Sequence, residues 1–171
     1  MEHFKAYQFI FAKTENEFQK AKILFLEYAK SLNFDLCFQN FESELNTLNI
    51  QYNLPYGRLI LVLNENNFEI GCVGIRKLDK KISELKRMYV KKEFRNKGIG
   101  KKLLQSAIEE SKKLGYEKIQ LDTISTMTEA ISLYEKFGFA EISSYRYNPF
   151  ENAKYFELNL IENQEPKQKL L

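Results

Sequence analysis

With 171 residues, 44% of them hydrophobic and 29% charged, the chain has the length and composition of one soluble globular domain with a core of its own. No apolar run approaches the roughly 18 residues of a membrane span, and Lys5, Gln8, Lys13 and Glu15 interrupt any signal-peptide core. The single histidine, His3, sits at a terminus, which excludes Ser-His-Asp and Cys-His hydrolase mechanisms and most zinc sites, and the net charge of +3 hides a segment, residues 76–102, with twelve Lys or Arg against three acids.

Tyr7 to Ala12 reads as a first strand. Thr14 with Glu17 makes a capping box, and Phe18, Ala21, Phe25, Tyr28, Ala29 and Leu32 follow at helical spacing. A second, short helix is predicted over Phe41 to Leu48, and Pro55-Tyr56-Gly57 marks a turn. Leu59 to Leu63 and Phe68 to Lys77 form a hairpin across Asn64 to Asn67, and Leu78 to Lys81 turns the chain into a strand ending at Val90. A long helix opens at Ile99 and places Leu103, Leu104, Ala107, Ile108, Ser111 and Leu114 on one face, with Gly115 as its stop. Ile119 to Thr123 is a strand. Thr126 with Glu129 is a second capping box, opening a helix that ends near Gly138; Tyr145 to Asn148 and Ala153 to Ile161 read as closing strands around Pro149. The expected domain spans residues 1–162, followed by a polar tail over 163–171. Cys37 and Cys72 match no metal-ligand spacing and are expected to be buried thiols; no metal is expected.

Arg95-Asn96-Lys97-Gly98-Ile99-Gly100 lies between that strand and the long helix, an arrangement suited to phosphate. Glycine lets backbone approach a ligand, and the first amides of a helix have no internal partner and favour an anion. A P-loop would need glycine at Arg95 and Ser or Thr at Lys102. A Rossmann fingerprint would need glycine at Leu103 and a tight turn, although Asp122 stands about where its ribose-binding acid would. The pattern R/Q-x-x-G-x-G/A, the pyrophosphate loop of acetyltransferases, matches at every specified position. Lys101, with Arg95 and Lys97, is expected to face phosphate, whereas Lys80, Lys81, Lys91 and Lys92 read as solubilising charges.

At these residues the chain resembles the GNAT superfamily of N-acetyltransferases. Ser83-Glu84-Leu85-Lys86-Arg87-Met88-Tyr89-Val90 is similar to the family's fourth strand, Ile119 to Thr123 to its fifth, and Ala130-Ile131-Ser132-Leu133-Tyr134-Glu135-Lys136-Phe137-Gly138-Phe139 to A-x-x-L-Y-x-K-x-G-F in its last helix. Order and spacing agree over about residues 58–160. Many members carry Asn where this chain has Met127, so one contact to the pantetheine arm is missing or replaced.

The element order predicts an α+β fold (α/β, three-layer): a mixed, mostly antiparallel sheet of about seven strands flanked by about four helices, with one right-handed parallel crossover. The resemblance adds a splay between the fourth and fifth strands that admits coenzyme A. It implies acetyl transfer from acetyl-CoA to a primary amine; Arg87 adds the expectation of a small-molecule acceptor such as an amino acid, and the lack of a membrane span or signal segment, with the basic segment falling on the phosphate loop, that of a cytoplasmic enzyme without nucleic-acid or membrane partners. Met88, Tyr89 and Val90 would hold the pantetheine arm, and Arg95, Asn96, Lys97, Gly98, Ile99, Gly100 and Lys101 the pyrophosphate. Tyr134 is the candidate general acid and Glu84, expected among apolar neighbours, the candidate base. Phe34, Phe38, Gln39, Phe41, Tyr145, Tyr147 and Asn148 would line the acceptor site, with Arg87 placed for an acceptor carboxylate. A non-catalytic acyl-CoA sensor, a protein amine as acceptor, and a homodimer all stay open.

Overall fold

The structure is a computed structural model that describes residues 7–33 and 35–161. In chain order it comprises β1 (Gln8–Phe11), α1 (Glu15–Ser31), a 3₁₀ turn (Cys37–Gln39), α2 (Phe41–Asn46), α3 (Leu48–Gln51), β2 (Arg58–Leu63), β3 (Glu69–Lys77) and β4 (Ile82–Val90). A second 3₁₀ turn (Lys92–Phe94), α4 (Ile99–Lys113), β5 (Lys118–Ile124), α5 (Thr128–Lys136), β6 (Ala140–Ile142) and β7 (Ala153–Asn159) follow. The strands form one sheet in the order β1-β2-β3-β4-β5-β7-β6, antiparallel throughout except between β4 and β5. This is the expected mixed sheet, with five α-helices instead of about four because the second helix breaks at Thr47 into α2 and α3.

Alternation along β2 divides the core. Leu59, Leu61 and Leu63 pack with Phe18, Ala21, Leu24 and Phe25 of α1 and with Tyr52 on one face. Ile60 and Val62 pack on the other with Leu103, Leu104 and Ala107 of α4 and Tyr134 of α5. A period of two on the strand against 3.6 on the helices thus yields three layers. Gly74 makes the first face possible: a Cβ there would meet the Tyr52 ring at 2.5 Å. The Thr14–Glu17 capping box forms as expected, with Thr14 Oγ1 accepting from the Glu17 amide and Glu17 Oε2 from the Thr14 amide.

Three local expectations are corrected. Thr126 and Glu129 form no capping box; Met127 occupies the N-cap of α5 without a side-chain bond. Tyr145 to Asn148 is not a strand but part of the loop between β6 and β7, where Pro149 denies the backbone a donor and Asn148 Oδ1 instead turns the chain by accepting from the Phe150 amide. Cys37 is exposed; Cys72 is buried. His3, Phe34 and the tail over 163–171 lie outside the described residues.

Two features of β4 shape the site. It pairs with β5 only over Ile82 to Glu84, opposite Lys118 to Gln120, after which the strands part. Against β3 the register slips by one residue between Cys72 and Gly74, so that β4 carries an extra residue, and Arg87 takes a left-handed φ of 56°. A bulge of this kind bends its strand and re-aims the side chains around it.

Candidate functional site

The parting of β4 and β5 opens a groove of about 590 Å³ that runs from the end of β4 to the start of α4. Its walls include Met88, Tyr89, Val90, Arg95, Asn96, Gly98, Ile99, Gly100 and Lys101, together with Ala130 and Leu133 of α5. Of the residues expected to hold a phosphorylated cofactor, only Lys97 is absent from this lining. Its ammonium lies over the Phe94 ring and donates to the Glu93 carbonyl. Arg95 reaches back to the Val90 carbonyl at 2.9 Å and stands over the Tyr89 ring, bracing the loop against β4.

The loop leaves its backbone donors open. Among the described residues, no amide from Asn96 to Lys101 donates a hydrogen bond within the protein, and Gly98 caps α4 without a side-chain partner. Gly98 holds a φ of 76°, and a Cβ built on it would meet nothing within 4 Å, so the empty space lies on the groove side of a backbone that only glycine adopts easily. Along β4, the Lys91 amide bonds to the Ile70 carbonyl of β3. By alternation the amides of Val90 and Met88 face the other way, towards the gap that β5 has left. Backbone donors therefore line the groove from β4 to α4.

Beyond Met88 the groove continues into a space of about 420 Å³ bounded by Tyr28, Tyr89 and Met127. It ends at a small chamber of about 50 Å³ walled by Tyr28, Leu85, Lys86, Arg87, Asp122, Asn148 and Phe150. Tyr134 of α5 lines none of these three spaces; it is 6% exposed, its ring packed on Phe139 and Phe156 at 5.7 and 6.3 Å between centroids. Burial pushes its phenol well above the usual tyrosine range, and the neighbouring Tyr28 and Asp122 add to the rise. The hydroxyl therefore keeps its proton at neutral pH.

The chamber's floor is a charged network rather than the expected aromatic lining. Glu84 Oε1 accepts from Arg76 at 3.1 Å and lies 3.3 Å from the Lys86 ammonium, and Glu84 Oε2 accepts from Arg146. Lys86 also faces Asp122 at 3.5 Å and donates to Gln39, whose amide donates to Asp122. Glu44 takes both Nη2 and Nε of Arg87, at 2.7 and 3.2 Å, and the Tyr52 hydroxyl at 2.5 Å. Burial raises the Glu44 carboxyl, but the charge and hydrogen bonds of Arg87 outweigh it and hold the group below the carboxylate range.

Two expectations are overturned here. Glu84 does not sit among apolar neighbours; it is fully buried and held by three cations, Arg76 and Lys86 on one oxygen and Arg146 on the other, which keeps it from the groove where an amine would bind. Arg87 is not free for an acceptor carboxylate, because Glu44 already holds it and Phe41 covers it at 5.2 Å. Gln39 and Asn148 do reach the chamber, while Tyr147 is 79% exposed and borders a separate cleft. Tyr145 stacks edge-on against Tyr155, and the Phe38 side chain lies outside the described set. Sequence reasoning missed Lys86, Asp122, Arg76, Arg146 and Tyr28. Alternation along β4 placed Lys86 and Glu84 on one face, the one signal that could have found part of the network.

Comparison with known proteins agrees with this fold. A model of the acetyltransferase (GNAT) family matches residues 23–139. An N-acetyltransferase of Schizosaccharomyces pombe, itself uncharacterised, is 34% identical over 149 residues, covering 86% of this chain and 91% of that one. The crystal structure of a GNAT-family acetyltransferase from Staphylococcus aureus superimposes with a TM-score of 0.76 at 26% identity, covering 91% of this chain and all of that one. The yncA protein from Salmonella typhimurium, solved with its cofactor acetyl-CoA, has the same fold, with a TM-score of 0.67 at 17% identity over 95% and 99% of the two chains.

Proposed function

Because the chain belongs to the acetyltransferase (GNAT) family, we propose that it transfers an acetyl group from acetyl-CoA to the primary amine of a small molecule. The observation that carries this reading is the run of unpartnered amides from Asn96 to Lys101 at the start of α4, behind a left-handed Gly98. Those donors and the helix N-terminus fit a pyrophosphate. The Met88 and Val90 amides, facing the gap, fit the amide groups of a pantetheine arm laid along β4. Arg95 and Lys101 supply positive charge at the groove wall.

Acetyl-CoA supplies an activated acyl group: the amine nitrogen forms a bond to the carbonyl carbon, the carbon–sulfur bond breaks, and the thiolate must gain a proton. We assign Tyr134 as the group that hydrogen-bonds to the departing sulfur; burial keeps its phenol protonated at neutral pH, so it is a donor there, and the thiolate's proton comes from it or from the water that receives the amine proton. The acceptor must arrive as a neutral amine. Its ammonium proton departs to water in the groove before attack. No side chain is assigned as a dedicated base. The chamber is narrow and ends on buried charge, which suits a small acceptor better than a polypeptide segment.

The test is a thermal shift with CoA, acetyl-CoA and NADH, followed by thiol release with a panel of amines. Ligand at about 100 times its Kd adds roughly 2.7 kcal/mol. Stabilisation by both CoA species with thiol release supports the proposal. Stabilisation without release from any amine would leave a binding module, and no stabilisation by CoA would overturn the cofactor assignment.

A further inference from the structure

The network under the chamber is not electrically closed. Arg76, Lys86, Arg87 and Arg146 meet Glu44, Glu84 and Asp122, four basic groups against three acids in mostly buried surroundings, with burial lowering the pKa of Lys86. The surplus is localised. Arg87 is neutralised by Glu44, and Arg76 divides its two terminal nitrogens between Gln51 and Glu84. Arg146 gives only Nη2 to Glu84. Its Nε is buried without any acceptor, and Nη1 has none among the described residues.

A second unpartnered donor belongs to the adjacent residue. The Tyr145 hydroxyl is buried and bonds to nothing, while its ring lies 5.2 Å from the Arg146 guanidinium. Burial, followed by the charges of Glu84 and Asp122, pushes this phenol far up, so it is a donor and not an anion. A buried donor without a partner costs about 1–3 kcal/mol, and two on adjacent residues together with a surplus of basic groups point to an acceptor-rich anion as the missing partner. A cleft of about 470 Å³ opens beside Arg146, lined also by Gln39, Glu44, Gln51, Arg76 and Tyr147; Tyr145 lies behind Arg146 and does not line it. Gln39 also walls the reaction chamber, so the cleft and the chamber meet at one side chain.

We propose that Arg146 and Tyr145 form a carboxylate subsite for the acceptor, which makes the substrate an amino acid-like molecule whose amine reaches past Gln39 into the chamber. This rests on the acetyl-transfer reading above. It moves the carboxylate-binding role from Arg87, which is satisfied, to Arg146, which is not. A carboxylate there accepts from Arg146 Nε or Nη1 and from the Tyr145 hydroxyl and neutralises the surplus charge. An alkylamine of the same length leaves both donors empty, so the subsite selects against it.

The experiment compares matched acceptors in a thiol-release assay: glycine, β-alanine and γ-aminobutyrate against methylamine, ethylamine and propylamine, with wild type, Arg146→Gln and Tyr145→Phe. Removing Arg146 still leaves Glu84 with Arg76 and Lys86, so the fold should survive, and unchanged CoA binding checks this. At least one amino acid should exceed its alkylamine about tenfold or more in kcat/KM. Arg146→Gln should raise the amino acid's KM about 10- to 100-fold, and Tyr145→Phe by less, with CoA affinity unchanged and alkylamine turnover falling far less than amino acid turnover. Equal use of both series, or equal loss of both in Arg146→Gln, would overturn the subsite while leaving acetyl transfer intact. If no acceptor releases thiol although CoA binds, calorimetry of the CoA-loaded protein with the same amino acids decides separately. Binding lost in Arg146→Gln keeps the subsite without the transfer reading, and no binding removes both.

Discussion

Gly98 offers the sharpest test of the phosphate loop, because the structure separates two effects that a substitution usually mixes. Its φ of 76° is left-handed, and nothing lies within 4 Å of a Cβ built there. Alanine therefore meets no clash with protein and suffers only the backbone penalty, about 1–2 kcal/mol. For a chain of this size that is a loss of about 2–8 °C in Tm. Asparagine tolerates the left-handed region and should recover most of it. Glutamate has alanine's backbone strain and adds a carboxylate beside the pyrophosphate. At a separation of about 5 Å and an effective dielectric between 20 and 80, each like-charge contact costs about 1–3 kcal/mol. The expected result is a CoA Kd roughly 10- to 100-fold weaker in Gly98→Glu than in Gly98→Ala, with Gly98→Asn near wild type. Calorimetry with CoA at fixed ionic strength measures it, and thermal melts without ligand measure the strain. Equal CoA affinity in the Glu and Ala variants would refute the placement of phosphate at the α4 N-terminus.

Tyr134→Phe keeps the ring packing on Phe139 and Phe156 but removes the proton donor. It should lower kcat about 100-fold with the KM for acetyl-CoA unchanged, and an unaltered kcat would assign Tyr134 to packing alone. Glu44→Ala strands the buried Arg87 guanidinium and the Tyr52 hydroxyl, so urea unfolding should show a loss of about 3–5 kcal/mol; a loss below about 1 kcal/mol would mean the pair contributes nothing net. Acid should act through the carboxyls whose folded pKa is depressed. Glu44, Glu17 and Glu157 lie below their ordinary values, so each contributes stability that is complete above about pH 4.5 and is lost as pH falls through the folded value. Melts from pH 7 to 3 should therefore fall below about 4.5, with a shallower fall in a chain lacking Glu44.

What could be read from the sequence was whatever depends on neighbours along the chain. The Thr14–Glu17 box, the face of α4 and the strand–loop–helix around Gly98 all follow from spacing within a dozen residues, and each formed. The Thr126–Glu129 box had the same spacing and failed, because Met127 rather than Thr126 sits at the N-cap of α5. A two-residue motif does not specify where its helix begins. The aromatic acceptor wall was unreadable for a different reason. Glu44, Glu84, Asp122 and Arg146 come from α2, β4, β5 and the β6–β7 loop, and no local pattern brings them together. Arg87 shows the step that was missing. Its residue type correctly suggested carboxylate recognition, but the bulge on β4 turns it towards α2, where this chain provides the carboxylate itself. The same chemistry then passes to Arg146, whose guanidinium the fold leaves incompletely satisfied, so the partner that Arg146 lacks within the protein is the one a substrate is expected to bring.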